Sequence, residues 1–340
     1  MRAIRVEKFG APEDLILEEL PAPKPEPGEV LIDVHAIGVN FIDLLVVGGQ
    51  YQSLPPLPFV PGKEVAGVVA EAGEGVTTCK PGDRVMAQLE CGGYAEQAVA
   101  SGRYCYPLPE GMDFARAAAM GMVYLTAHFA LAERSRLAAG ETVLVTGATG
   151  GVGLASVQLA RALGATVLAG VGSPGKAEAA KANGAHHVID LAGGDLKDSL
   201  RDQVRGATGG GGADVAIDPV GGDVFDASLR ALAWGGRIVV VGFTSGRIPS
   251  LKTNYILLKN ISVTGLHLND YFQRDPAGVR RVQEELFRLA AEGKIEPKVM
   301  RAYPLERFAE ALNAVRERRV QGKVVLMTGR AARGIFPNGS

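Results

Sequence analysis

Residues 141–164 read ETVLVTGATGGVGLASVQLARALG. Val143, Leu144 and Val145 form a short, apolar, largely β-branched run, the pattern of a buried parallel strand. Gly147-Ala148-Thr149-Gly150-Gly151-Val152-Gly153 follows without a gap. Leu154, Val157, Leu159, Ala160 and Leu163 then recur at helical spacing, and Gly164 closes the helix. Strand, glycine turn and helix together are the context in which a dinucleotide fingerprint is credible. Ala148 stands at the first glycine of the usual G-x-G-x-x-G, and Gly150 and Gly153 hold the other two places. Glycines let backbone approach a pyrophosphate, and a helix N-terminus offers unpaired N–H groups and a positive dipole end. Gly150, Gly151, Val152 and Gly153 are therefore the expected phosphate contacts. A second strand, Thr166–Ala169, follows directly.

Working outward, β and α signals alternate: His187–Ile189, a helix from Asp195, Val215–Asp218, a helix from Asp223, Arg237–Val241 and Ser262–Gly265. This predicts a doubly wound parallel sheet. Upstream, Ala117–Leu131 is alanine-rich and helical. The first third carries short strand signals, Val30–Ala36, Val65–Val69, Asp83–Ala87 and a run from Gly92, at the spacing of a partly closed antiparallel barrel. Helices near Pro276–Ala291 and Leu305–Ala314 and a strand at Lys323–Met327 end the ordered pattern. The tail from Ala331 to Ser340 has little periodicity and is expected to fray.

At 340 residues the chain has room for two domains. A net charge of -1 and 6% aromatic residues argue against nucleic acid or an anionic membrane as the main partner. Three cysteines do not make a disulfide framework and suggest a reducing compartment. The N-terminal Met1–Val6 reads as a strand rather than a signal core, and no apolar run reaches membrane-spanning length. These features predict a soluble, cytoplasmic protein.

Six stretches carry a family resemblance: Gly38–Asp43 (GVNFID), Pro61–Val69 (PGKEVAGVV), Lys80–Val85 (KPGDRV), the glycine fingerprint, Asp218–Gly222 (DPVGG) and Gly322–Leu326 (GKVVL). Spread in order over nearly the whole chain, they resemble the medium-chain dehydrogenase/reductase superfamily, and within it the zinc-free, zeta-crystallin-like NADPH:quinone oxidoreductase branch. The resemblance implies an α/β protein with a GroES-like catalytic barrel at residues 1–123. A Rossmann NADPH-binding domain would span residues 124–265, and residues 266–340 would return to the barrel. It also implies a homodimer, and a cleft between domains for nicotinamide and substrate.

Zinc enzymes of this superfamily carry Cys where Asn40 stands and His where Lys63 stands. A lysine ammonium has no lone pair for a metal and repels it, so no metal site is expected. Without a Lewis acid for an alkoxide, alcohol oxidation gives way to reduction of an already polarised double bond. For the nucleotide, the second strand ends Ala169-Gly-Val-Gly-Ser-Pro-Gly-Lys176, with none of the acidic residues that usually hold an NAD ribose. Ser173 and Lys176 can instead hold a 2′-phosphate, which points to NADPH. Relatives often carry a tyrosine where Leu191 stands. Lys323 is expected to add a further cofactor contact.

The resemblance places Asn40, Asp43 and Tyr51 on the substrate side, with Asn40 also touching cofactor. Asn40 either donates to a substrate carbonyl or braces a loop; Asp43 reads as an orienting carboxylate. Tyr51 either stacks on a ring, donates a proton or simply packs. Lys63 either binds an anionic substrate or pairs within its loop. Thr126, the loop Gly242-Phe243-Thr244 and the run His267-Leu268-Asn269 would hold the nicotinamide half of the cofactor. Reduction of a quinone, of an enone or enoyl thioester, or nucleotide binding without turnover, as a redox sensor, structural protein or RNA binder, remain alternatives at this level.

Overall fold

Thr142–Val145 forms the central strand of a six-stranded, wholly parallel sheet. This is a computed structural model, and it describes residues 1–329; the expectation for Ala331–Ser340 lies outside them. In chain order, the first strands are β1 (Arg2–Arg5), β2 (Ile16–Glu19), β3 (Glu29–Gly38), β4 (Glu64–Ala72), β5 (Arg84–Gln88), β6 (Gln97–Ser101) and β7 (Cys105–Pro107). Helix α1 (Phe41–Val47) leaves the end of β3, and α2 (Phe114–Ala118) and α3 (Gly121–His128) follow β7. The parallel sheet is built from β8 (Thr142–Val145), β9 (Thr166–Val171), β10 (His187–Asp190), β11 (Ala213–Asp218), β12 (Leu232–Val240) and β13 (Ser262–Gly265). Its crossover helices are α4 (Gly151–Ala162), α5 (Ala177–Ala182), α6 (Leu196–Ala207), α7 (Gly222–Ala231) and α8 (Asn254–Lys259). The chain continues through α9 (Leu268–Arg274), α10 (Pro276–Ala291), β14 (Val299–Pro304), α11 (Phe308–Arg316) and β15 (Lys323–Met327).

The chain divides into two units. One comprises residues 1–122, 276–291 and the segment from Pro297; the other comprises 123–275 and 292–296. Helix α9, beyond the boundary expected at residue 265, belongs with the parallel-sheet unit.

In the first unit, β3 is the hub. β4 pairs along one of its edges, and the other is shared by β6 over Glu29–Asp33 and β15 over Ala36–Gly38. The antiparallel pairing of β15 with β3 brings the chain end back to the barrel, whereas β14 joins β15 in parallel. Ile32, Val34, Val65, Val85, Val324 and Leu326 fill the interior with no exposed surface.

In the second unit the sheet order is β10-β9-β8-β11-β12-β13. Counted from β8, that is 3-2-1-4-5-6, the dinucleotide-binding order, with its switch point between β8 and β11. Leu144, Leu168, Ala216 and Ile238 are fully buried, as strands covered on both faces require.

The alanine-rich run expected as one helix is broken. α2 stops at Ala118, α3 restarts at Gly121, and the last turn widens to a π-helix over Phe129–Arg134. A side chain at Gly121 would meet Glu64 Oε2 and Met86 Sδ at 2.8 Å each.

Candidate functional site

At the switch point, backbone shape dominates. Gly147 has a φ of +57°, where a side chain is strained. A Cβ on Gly153 would lie 2.1 Å from the Gly147 carbonyl oxygen, so only glycine lets α4 pack this close. Gly150, by contrast, is extended at φ −76°, and its nearest obstacle to a Cβ is 3.4 Å away. The first bond within α4 runs from Leu154 N–H to the Gly150 carbonyl, so the N–H groups of Gly151, Val152 and Gly153 precede the helical ladder. Such a terminus fits an anionic diphosphate.

Both neighbouring strands anchor the turn. Ala148 N–H donates to the Gly170 carbonyl at the end of β9, 3.0 Å away. On the β11 side, Thr146 Oγ1 donates to Asp218 Oδ1 at 2.6 Å, and Asp218 also accepts from Val220 and Gly221 N–H. Burial raises the pKa of Asp218, against these hydrogen bonds. The Asp218–Gly222 loop then grips the next one. Thr244 donates through both N–H and Oγ1 to the Pro219 carbonyl, and Ser245 N–H donates to that of Val220. Gly242, Phe243 and Thr244 are thus fixed beside the glycine turn. Thr146 and Asp218 are not among the site residues expected from the sequence. Asp218 could have been found there as a carboxylate ending an apolar strand, a charge that needs partners.

Ser173 precedes, and Lys176 ends, the short turn Pro174–Lys176 that leaves β9. The Ser173 hydroxyl does not cap this turn, and Lys176 leads into α5. No acidic residue lies between Ala169 and Lys176. Thr126 lies on α3, and His267, Leu268 and Asn269 start α9; Leu268 is buried and His267 Nδ1 lies 3.1 Å from Asp270 Oδ1. The Phe129 and Tyr271 rings, 4.2 Å apart, join these two segments.

Asn40, Asp43 and Lys323 come together in the barrel unit, in a buried polar cluster whose other members are Glu64 and Tyr94. Glu64 is fully buried and Lys323 only 5% exposed. The Lys323 ammonium donates to Glu64 Oε1 at 2.9 Å, Asn40 Oδ1 at 2.7 Å and the Val39 carbonyl at 2.8 Å. An ammonium has three protons, and these three acceptors match them. Asn40 Nδ2 donates to Glu64 Oε1 at 2.8 Å and more weakly to the Gly38 carbonyl. Glu64 Oε2 takes the N–H of Met122, holding the start of α3 on a carboxylate. Asn40 therefore uses its amide to brace this cluster. Glu64 is not among the site residues expected from the sequence, although a carboxylate inside the apolar strand EVAGVV requires a partner.

Asp43 Oδ2 accepts from Asn40 N–H at 2.8 Å, half of a capping box for α1, and from the Tyr94 hydroxyl at 3.0 Å. Oδ1 is buried without a hydrogen-bond partner. Burial pushes the Asp43 carboxyl up to about 6, against the Asn40 N–H, Lys323 and Tyr94. Lys63 is also buried. Its ammonium donates to the Glu90 carbonyl at 2.8 Å and lies 5.9 Å from the Tyr51 ring centre. Its partners are thus a backbone carbonyl and a ring rather than the carboxylate expected for a loop ion pair.

Two family models match: the alcohol dehydrogenase GroES-like domain over residues 26–110 and the zinc-binding dehydrogenase over residues 151–284. The chain is 43% identical to the mouse quinone oxidoreductase-like protein 2 over 314 residues, covering 92% of this chain and 88% of that one. It is 38% identical to the rat quinone oxidoreductase, covering 96% and 98%. The structure of Escherichia coli quinone oxidoreductase complexed with NADPH aligns with a TM-score of 0.89 at 33% identity, covering 96% and 100%. The chain belongs to the zeta-crystallin-like branch of the medium-chain dehydrogenases/reductases. It is an oxidoreductase of that superfamily. No helix among the described residues is long and apolar enough to cross a membrane.

The zinc implied by one family description does not fit the residues present. The amide oxygen of Asn40 faces the Lys323 ammonium, and Lys63 brings a second cation where the zinc enzymes have histidine. Among the described residues no three His, Cys, Asp or Glu side chains converge.

Proposed function

We propose that this protein is a metal-independent, NADPH-dependent reductase that delivers hydride to a quinone. The observation that carries the proposal is the glycine turn at the switch point, beside a β9 end that has Ser173 and Lys176 in place of an acid. NADPH, when bound, supplies the hydride. The N–H groups of Gly151, Val152 and Gly153 hold the pyrophosphate, and Ser173 and Lys176 hold the 2′-phosphate. Thr126, the loop Gly242–Thr244 and the start of α9 orient the nicotinamide half. Tyr51 stacks on the quinone ring, and Asn40 and Asp43 act as positioning residues through the buried cluster. The quinone's own carbonyls spread the incoming charge, so orientation replaces a Lewis acid. The relatives named quinone oxidoreductase support this substrate class.

The deciding experiment titrates NADPH and NADH against wild type and Lys176→Ala, and follows turnover with quinones and enones in the presence of a chelator. A hydrogen bond to a charged group is worth about 1.5–3 kcal/mol, so the variant should bind NADPH roughly 10- to 100-fold more weakly. NADH should barely change. Equal losses for both cofactors would make Lys176 a brace of its turn, and a wild-type preference for NADH would overturn the cofactor assignment. Chelator-sensitive turnover would overturn metal independence. Faster turnover of enones would move the substrate class.

We also propose a homodimer formed on the outer edge of β13. Among the described residues no strand pairs with that edge, and on the adjoining α8 Ile256 packs inward while Leu257 and Leu258 are 77% and 73% exposed. A monomer in sedimentation equilibrium at micromolar concentration would refute it.

A further inference from the structure

Away from the site residues, the barrel unit brings two thiols together. Cys79 lies in the loop between β4 and β5, and Cys105 opens β7; their sulfurs are 3.4 Å apart and unbonded. Their surroundings hold this approach. Thr78 Oγ1 donates to the Gly102 carbonyl at 2.6 Å, pinning the loop beside the segment that leads into β7. Arg280, on α10, donates to the carbonyls of Arg103 and Cys105 at 2.9 Å, and its guanidinium lies 4.7 Å from the Tyr106 ring centre. Cys105 is fully buried and Cys79 is 8% exposed, so a small reagent meets Cys79 first.

The groups facing Cys79 are the Cys105 thiol, the Thr78 hydroxyl, Asp83 and Arg280. The hydrogen bond from Cys105 lowers the Cys79 pKa to about 7, helped by Thr78 and Arg280 and opposed by burial and Asp83. The same hydrogen bond, burial and Asp83 push Cys105 far up, opposed by Arg280. When the pair loses one proton, the charge therefore falls on Cys79 and the remaining proton stays on Cys105. A thiolate is the nucleophile in thiol oxidation.

We propose that Cys79 and Cys105 form a peroxide-reactive dithiol that closes to an intramolecular disulfide. The Cys79 thiolate attacks one oxygen of hydrogen peroxide and the O–O bond breaks. Hydroxide leaves and takes up the proton that Cys79 lost on ionising, giving water and a Cys79 sulfenic acid. The Cys105 sulfur then attacks the Cys79 sulfur, its proton and the sulfenic hydroxyl leaving as a second water. Two thiols lose two electrons, and one peroxide becomes two waters. The sulfurs need to close by about 1.4 Å to bond.

The test treats the reduced full chain with one equivalent of hydrogen peroxide, then counts thiols after unfolding and maps the peptides. Two of the three thiols should disappear into one linked pair containing Cys79 and Cys105, and dithiothreitol should restore all three. Cys91 is the internal control, because burial raises its pKa; it should react roughly 10-fold more slowly. In Cys105→Ser, dimedone should trap a sulfenic acid on Cys79, and in Cys79→Ser peroxide should leave Cys105 unchanged. In wild type, a readout independent of any variant's folding, the rate of pair loss should rise through a midpoint near pH 7. A midpoint at the ordinary thiol value of about 8.5, equal loss of Cys91, or Cys79 sulfinic acid with Cys105 still free would each overturn the proposal.

Discussion

The barrel unit's polar cluster and the parallel-sheet unit's glycine turn put polar groups to opposite uses. Under α1, the ionisable and amide side chains of Lys323, Glu64, Asn40 and Asp43 are buried and bonded largely to one another. After β8, contacts are fixed by the absence of side chains at Gly147 and Gly153, and the N–H groups opening α4 precede its own hydrogen bonds. The most chemically suggestive letters are thus internally committed, and the letters that look like spacers shape the proposed diphosphate seat. A charged residue in a family motif can serve the fold, and a glycine can serve the ligand.

The comparison breaks most visibly at the ion pair. Removing one partner of a buried pair leaves the other charge uncompensated, at a cost of about 3–5 kcal/mol. Lys323→Met and Glu64→Gln should each lower unfolding stability by that order in urea titrations. The double variant should lose less than the sum, because the partners are coupled. Lys323→Met should leave NADPH affinity nearly unchanged in the fraction that folds. A selective loss of NADPH binding at near-normal stability would return Lys323 to the cofactor and erase the contrast between the two regions.

A smaller effect tests whether Asp43 belongs to that cluster as a strained member. Its pKa rises from 3.8 to about 6 through burial. The folded chain thus holds this proton more tightly than the unfolded chain. The resulting stability is complete below pH about 3.8 and is lost as pH rises through about 6. The shift corresponds to about 3 kcal/mol. Asparagine does not titrate and keeps an acceptor for Asn40 N–H and the Tyr94 hydroxyl. The stability of wild type minus that of Asp43→Asn should therefore fall by about 2 kcal/mol between pH 4.5 and 7.5, the rest of the shift being lost below pH 4.5. A flat difference would mean that the carboxyl titrates as if in water.

How far the sequence foretold each region follows from the range of its interactions. Ser262–Gly265, Pro276–Ala291 and Lys323–Met327 are local patterns, and the structure has the same bounds. Helix α1 is not evident from the sequence because FIDLLVV is apolar at every position but Asp43 and too short to show a period. The parallel pairing of β14 also escaped, since it depends on a crossover through α11 rather than a turn. Lys323 is expected from the sequence as a cofactor contact because a lysine beside a glycine near the chain end carries no sign of its partner. That partner, Glu64, is 259 residues away. The absence of an acid between Ala169 and Lys176 is legible because it is contiguous in the sequence.

The finest test lies within the fingerprint. Motif logic treats Gly150 and Gly153 alike, but the geometry separates them. An alanine at 153 must push its methyl against the Gly147 carbonyl, backbone that cannot rotate away, whereas one at 150 meets its nearest atom at 3.4 Å with φ already extended. Overpacking of this kind typically costs about 1–3 kcal/mol. Gly153→Ala should therefore lose that order of stability and shift α4 away from the turn, weakening NADPH through the fold. Gly150→Ala should fold within about 0.5 kcal/mol of wild type. Any NADPH loss it shows would report a methyl standing where the diphosphate comes close. Comparing urea midpoints and NADPH titrations for the two variants separates glycine needed by the chain from glycine needed by the ligand. Equal destabilisation at both positions would mean that the turn is one rigid unit, and that the distinction drawn between its glycines is wrong.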